Sequence, residues 1–443
     1  MEVIRVLLGL RALLGTQAGP PVVAAVRDGR HLPAARMAAG PRGMVLETDL
    51  TTARLLVQSA RSPGLSTALR DLLDFAGAEF HVVDAPELVG LAFADVALRY
   101  EARCVVGLLR TDGRALLAPA PGAVLGPGDR LVVVAHDDTA APPTDCGEYV
   151  DPAAMTPPGP RPAGPTRTLL LGWNRRAPLV VEILSASARP GSVLDVVTAP
   201  DAGPGPILPP GAPDNGRLGI AHHVGHLDRP EVLRTLDLFG YDSIIALGPD
   251  PGTGPGRPDD HTLLNLLMLR RREEEAGRAL PVVAELCDPR SRVLAPLGPS
   301  SDAVVRGELT ALLMTQIAHN PELAAVFEEV FATRGGALAL RPAEHYVLQG
   351  HEASFATVVA AALERGECVI GYRARGAHVT GRDVGLRLCP RKAERRFWDA
   401  GDEVLVLTAA ATDPSVADGG ENGLPQPRRQ HEGGDSPAGV PTA

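Results

Sequence analysis

The strongest constraint on this chain is that it carries one pattern twice. Pro21-Val22-Val23-Ala24, closing at Asp28, returns as Pro281-Val282-Val283-Ala284, closing at Asp288, 260 positions later. The correspondence continues past this strand. Asp49-Leu50-Thr51-Thr52 answers Glu308-Leu309-Thr310-Ala311, Gln58 answers Gln316, and Ser62-Pro63 answers Asn320-Pro321. Cys104-Val105-Val106-Gly107 answers Cys368-Val369-Ile370-Gly371, and Gly128-Asp129 answers Gly401-Asp402. The second copy has a long stretch of its own, from Thr168 to Leu280, ahead of the repeated strand. The first copy has only the residues up to Pro20. A chain of 443 residues exceeds one ordinary core and suits two to four domains.

Within the second copy, short apolar strands alternate with helices. Thr168–Leu171, Val193–Thr198, Ile220–Val224, Ser243–Leu247 and Pro281–Leu286 read as strands, and a short one follows at Ala303–Val305. Helices are expected at Leu179–Ser187, Pro230–Leu238, His261–Ala276, Glu308–Ala318 and Glu322–Phe331. This rhythm predicts an α/β fold with a doubly wound, Rossmann-like parallel sheet covered on both faces. His345 to Thr408 reads as a small α+β unit, with a helix over Phe355–Glu364. The first copy matches only from the penultimate helix onward, so its Rossmann-like unit is expected to be incomplete. Strands one to four are missing from it, as in a chain truncated at its start. The two strands left cannot bury both faces and must borrow a surface.

The expected organisation is therefore 1–78 for the end of a first Rossmann-like unit with its crossover helices and 79–138 for a first small α+β subdomain. A Pro/Gly/Thr-rich linker follows at 139–166. Residues 167–335 form the second Rossmann-like unit, 336–412 the second small subdomain, and 413–443 a tail whose composition predicts disorder. Pro200–Gly216 and Pro249–Asp259 read as surface loops.

The chemistry-bearing residues are few. The turn after the first strand of a doubly wound sheet faces the ligand crevice, where a helix start offers unpaired N–H groups. Here that turn is Gly172-Trp173-Asn174-Arg175-Arg176-Ala177, against the dinucleotide pattern Gly-x-Gly-x-x-Gly. Only the first glycine is present. Asn174 takes the place of the glycine that admits a pyrophosphate, and Arg175 and Arg176 bring positive charge. Asp201 follows the second strand where an acidic residue would bind a ribose; an ordinary loop aspartate reads as well. Asp228 follows the third strand and reads as crevice-facing or as a helix N-cap. His222, His223 and His226 alternate faces on a strand, so they do not form a metal set. Nothing nominates a nucleophile or general base. Cys104 and Cys368 read as buried structural thiols, and five dispersed cysteines with no CxxC indicate no zinc site and no disulfide framework. A net charge of −10 argues against nucleic acid as a partner. The apolar run Val3–Gly15 is broken by Arg5 and Arg11 and is too short to span a bilayer.

A Rossmann-like domain, a crossover helix pair and a small α+β unit, taken twice, resembles the RCK (regulator of conductance of potassium) arrangement. Leu169-Leu170-Leu171-Gly172-Trp173-Asn174-Arg175-Arg176-Ala177-Pro178 resembles the signature of the CASTOR/POLLUX-related ion channels, in their bacterial branch. Arg99 to Gly107 and Leu72 to Phe75 look like the same family's first RCK domain, and the resemblance covers roughly residues 1–412. It implies tandem RCK units in a homo-tetrameric gating ring on the cytoplasmic face of the cell membrane. That ring would be coupled to a membrane pore region or channel subunit outside this chain. It implies ligand- or ion-responsive gating without catalysis, and leaves the ligand open between a nucleotide such as NAD and calcium. Gly172, Trp173, Asn174 and Arg175 would line the crevice, with Asp201 and Asp228 beside it. His226 stands where many RCK domains carry an aspartate. Two other readings are a soluble nucleotide-sensing subunit of a separate potassium transporter, of the Trk type, and an NAD-dependent oxidoreductase.

Overall fold

A computed structural model describes residues 2–14, 21–41, 43–137, 142–159, 164–200, 216–227, 229–250, 257–331, 337–375 and 385–409. The tail expected from Asp413, and the middles of both expected surface loops, lie outside the described residues.

In the second copy, six strands make one sheet: Arg167–Leu171, Ser192–Thr198, Leu218–Val224, Ser243–Ala246, Val282–Leu286 and Asp302–Val305. Their spatial order is sixth, fifth, fourth, first, second, third, and every pairing is parallel. This is the doubly wound order, with its switch point between the first and fourth strands. Leu169, Leu170, Leu171, Ile244 and Ile245 are fully buried, because helices cover both faces there. The helix expected over Pro230–Leu238 ends earlier, at Pro230–Thr235. Leu236 turns extended and a single 3-10 turn, Leu238–Gly240, follows.

In the first copy, Val22–Val26 pairs in parallel with Gly43–Glu47 alone. One face of this small sheet packs on the helices Glu2–Leu14 and Leu32–Ala39, with Leu7, Ala24, Val26, Ala35, Ala38 and Val45 at the centre. On the other face, Val23, Met44 and Leu46 join the main core, and the helix Arg306–His319 of the second copy lies against Val22–Val26. The small sheet thus takes its second cover from the other copy. The exchange is mutual. The first copy's helix Thr48–Arg61 packs on the helix Ala177–Ser187 and on three strands of the large sheet.

These two crossover helices are both 14 residues long and stand 258 positions apart, each beginning directly after its strand. Gln58 and Gln316 stay in step on that offset, as do the two proline turns. Asp49 then falls opposite Gly307, so the sequence pairing of Asp49 with Glu308 slips by one residue. Their burial differs. Ala53, Leu56, Val57 and Ala60 are buried beneath the second copy, whereas Ala311, Thr315 and Ala318 are exposed and Met314 is half-buried.

Asp302, on the sixth strand, ties the copies together. Its carboxylate accepts from the backbone N–H groups of Gly64 (3.1 Å) and Ser66 (2.9 Å) and from the Ser66 hydroxyl. It therefore caps the helix Leu65–Leu73 of the other copy, whose own N-cap residue, Gly64, has no side chain to do so. Asp302→Ala is expected to cost about 1–3 kcal/mol, since buried N–H groups lose their acceptor. Urea denaturation of the variant measures it.

The two small subdomains are copies of one sheet. Glu79–Val83, Arg130–Ala135, Cys104–Leu109 and Ala115–Leu117 lie in that spatial order, as do Leu338–Pro342, Glu403–Thr408, Glu367–Arg373 and Leu386–Leu388. The first strand of the second sheet lies at Leu338–Pro342, ahead of His345, which sits in a 3-10 turn. Both sheets carry the same irregularity, between Val105 and Gly107 and between Val369 and Gly371. One apolar core runs from Ala53 in the first copy to Leu407 in the second.

Candidate functional site

The large sheet puts the Gly172–Arg176 turn at the carboxyl end of its first strand, at the switch point. Gly172 has φ +91°, and a Cβ there would lie 2.5 Å from the carbonyl oxygen of Leu247, directly after the fourth strand. Only glycine fits both demands. Trp173 is half-buried against the main core. Ala177, at the third glycine position of the dinucleotide pattern, is fully buried, which keeps the helix start close to the sheet.

Beyond the glycine, the crevice is filled by the chain's own charges. The Asn174 amide donates to the Gly248 carbonyl (2.7 Å) and to Glu285 Oε2 (2.8 Å), and its Oδ1 accepts from the Arg176 N–H (2.9 Å). The Arg175 N–H donates to Asp250 (3.1 Å). The N–H groups of Arg175 and Arg176, in the turn that leads into the helix, thus already have acceptors within the chain. The Arg176 side chain is fully buried. It pairs with Glu285 through Nε and with Asp250 at 3.1 Å, and it reaches Asp49 at 3.5 Å. Arg306 adds a second cation, 3.5 Å from Glu285 and 3.8 Å from Asp250.

Burial disfavours the Arg176 charge, but Glu285, Asp250 and Asp49 together outweigh it and hold its pKa above the ordinary arginine value. The site thus holds three guanidinium groups among three carboxylates. One of those carboxylates, Asp49, is the second residue of the first copy's crossover helix; it lies 2.9 Å from Arg175 Nε. The crevice of the second copy is closed by a residue of the first.

Four of the residues singled out in the sequence, Gly172, Trp173, Asn174 and Arg175, share this turn. Asp201 and Asp228 lie outside the described residues. The histidines do not converge: His222 meets Thr198 (2.8 Å) and His223 meets Asp195 (3.5 Å). No group of three or more His, Cys, Asp or Glu side chains placed to hold a metal occurs among the described residues. Sequence reasoning missed Asp49, Asp250, Glu285 and Arg306. Glu285 had a readable signal: it stands inside an apolar strand where the first copy has Ala25, and a buried carboxylate demands a cation.

Comparison with known proteins bears on this geometry. Residues 49–150 match the family model described as Castor and Pollux, part of voltage-gated ion channel. The stretch begins at Asp49 itself. The ion channel CASTOR of Lotus japonicus is 28% identical over 389 residues, covering 80% of this chain and 45% of that protein. The chain is similar in sequence to the CASTOR and POLLUX ion channels. The probable ion channel CASTOR of Oryza sativa subsp. japonica is 29% identical, with 80% of this chain and 43% of that protein covered. The chain thus spans under half the length of these two CASTOR relatives. The human SLO3 gating ring superposes with a TM-score of 0.60 at 13% identity, covering 93% of this chain and 84% of that one. At that identity the likeness speaks for the fold alone: tandem RCK-like units. No helix among the described residues is long and apolar enough to cross a membrane.

Proposed function

We propose that this chain is the regulatory, gating-ring portion of a CASTOR/POLLUX-like cation channel. In this reading it works at the cytoplasmic face of the cell membrane as a homo-tetrameric ring coupled to a pore region, and it is non-catalytic. The observation that carries the proposal is the Asp49 closure. A ligand entering the crevice at Gly172–Arg176 must compete with Asp49 and Asp250 for Arg175 and Arg176. Displacing Asp49 loosens the start of Thr48–Arg61, the helix that joins the two copies. Occupancy in one unit is thereby converted into movement of the other, as a population shift set by differential affinity. The same competition makes the resting, self-paired state the default.

The test is thermal unfolding of the full chain with NAD, NADH, ATP or calcium, each against Arg175→Ala. One of the four is expected to raise the midpoint in a dose-dependent way, with the effect lost in the variant. Stabilisation by NADH together with hydride transfer to a hydroxy acid would instead make the chain an oxidoreductase. If none of the four shifts the midpoint, ligand sensing at this crevice is refuted.

A further inference from the structure

The two small subdomains meet at a cluster that the gating reading does not use. Cys104 opens the central strand of the first, and Cys389 follows the last short strand but one of the second. Both thiols are buried, at 3% and 4% exposure. The Cys389 N–H donates to the Ile370 carbonyl (2.8 Å), and the Cys104 sulfur contacts that same oxygen at 3.5 Å. The Cys389 sulfur lies 3.1 Å from the carbonyls of Val134 and Ala102. Val134 is the strand partner of Cys104. The two sulfurs therefore face each other across the subdomain boundary, each seated on the backbone beside the other.

The chain's single lysine stands at the same place. Lys392 is 1% exposed, and its ammonium donates to the carbonyls of Tyr100 (2.6 Å) and Arg103 (2.5 Å), the latter joined directly to the Cys104 nitrogen. Cys389 also holds the left-handed conformation, φ +46°, which a side chain adopts at a cost. The equivalent residue of the first subdomain, Ala118, has φ +42° and donates to Val106 as Cys389 donates to Ile370.

We infer that Cys104 and Cys389 form a reversible disulfide that locks the two small subdomains together, with a hydroperoxide as the oxidant. The Cys389 thiolate attacks a peroxide oxygen: the S–O bond forms, the O–O bond breaks, and the leaving hydroxide takes up a proton as water. The Cys104 sulfur then attacks the Cys389 sulfenic acid. The S–S bond forms, the S–O bond breaks, and the departing hydroxide leaves with the Cys104 proton as a second water. Two thiols lose two electrons and one hydrogen peroxide becomes two waters. The environment fixes the order. A hydrogen bond from Cys104, with the nearby Lys392 and Arg103 cations, draws the Cys389 thiol below its ordinary range. Donating that hydrogen bond, together with burial, pushes Cys104 up. Burial pushes Cys146 to about 11 and raises Cys287, so neither competes as a thiolate.

The experiment treats the folded full chain with hydrogen peroxide and then counts free thiols in denaturant. The count is expected to fall from five to three. Peptide mass mapping should show one Cys104–Cys389 link, two hydrogens lighter and reversed by dithiothreitol. Cys389→Ala is the control of choice, because alanine already occupies the equivalent backbone position at Ala118; it should keep four thiols, with no link. Cys287→Ser should leave the link unchanged. A link that forms only in denaturant would overturn the inference. Oxidation confined to the half-exposed Cys287 at peroxide levels that leave Cys104 and Cys389 reduced would overturn it equally.

Discussion

Replacing Arg176 by methionine is expected to lower the unfolding free energy by about 3–5 kcal/mol, among the largest effects of any single change in this chain. Arg176 is fully buried, and Glu285 is 1% exposed. Removing the guanidinium leaves the Glu285 carboxylate in a dry site with Arg306 as its remaining cation, 3.5 Å away. A buried carboxylate stripped of its main partner costs far more than the pair contributes net. The double variant Arg176→Met, Glu285→Met is therefore expected to recover most of the loss, because both members of the pair then become apolar. Chemical denaturation of the wild type, both single variants and the double variant closes the cycle. If Arg176→Met alone is within about 1 kcal/mol of wild type, the crevice charges are not the fixed network described.

Leu56→Ala is the second large effect, expected at about 2–5 kcal/mol. Leu56 has no exposed surface, and its helix lies between the copies. Because one apolar core runs through both copies, the loss is expected to lower the midpoint of one shared transition, without splitting it in two. Near-ultraviolet and far-ultraviolet circular dichroism recorded on the same melt should coincide. Separate transitions by the two probes, or a second copy that melts at its wild-type midpoint, would show that the copies fold independently.

How much of this was legible in the sequence follows from the range of each signal. The repeat and the short apolar runs are local, so the parallel sheet of the second copy and the paired helices around Pro63 and Pro321 could be read directly. Gly172 was readable because its turn has a known geometric demand. The helices Leu32–Ala39 and Pro289–Leu294 went unread: both are short, each has a proline in its first turn, and neither presents a full apolar period. The charge network was legible only in half. Arg175 and Arg176 stand next to the glycine, but their partners come from positions 49, 250, 285 and 306, and only the fold brings these together. In the sequence Asp49 marks the repeat and carries no sign of a site residue. Nothing in its neighbourhood announces that its helix crosses to the other unit.

The twin crossover helices carry a further consequence. They share a length and a proline turn, and the simplest origin for them is one ancestral segment copied once. Since then they have lived under different rules. Ala53, Val57 and Ala60 are hemmed in by the second copy, so a larger side chain at any of them collides with a packed neighbour. Ala311, Thr315 and Ala318 stand open in this chain, and a change there meets no such neighbour. Packing within the chain therefore restricts side-chain size along one helix and places no such limit on the matching positions of the other.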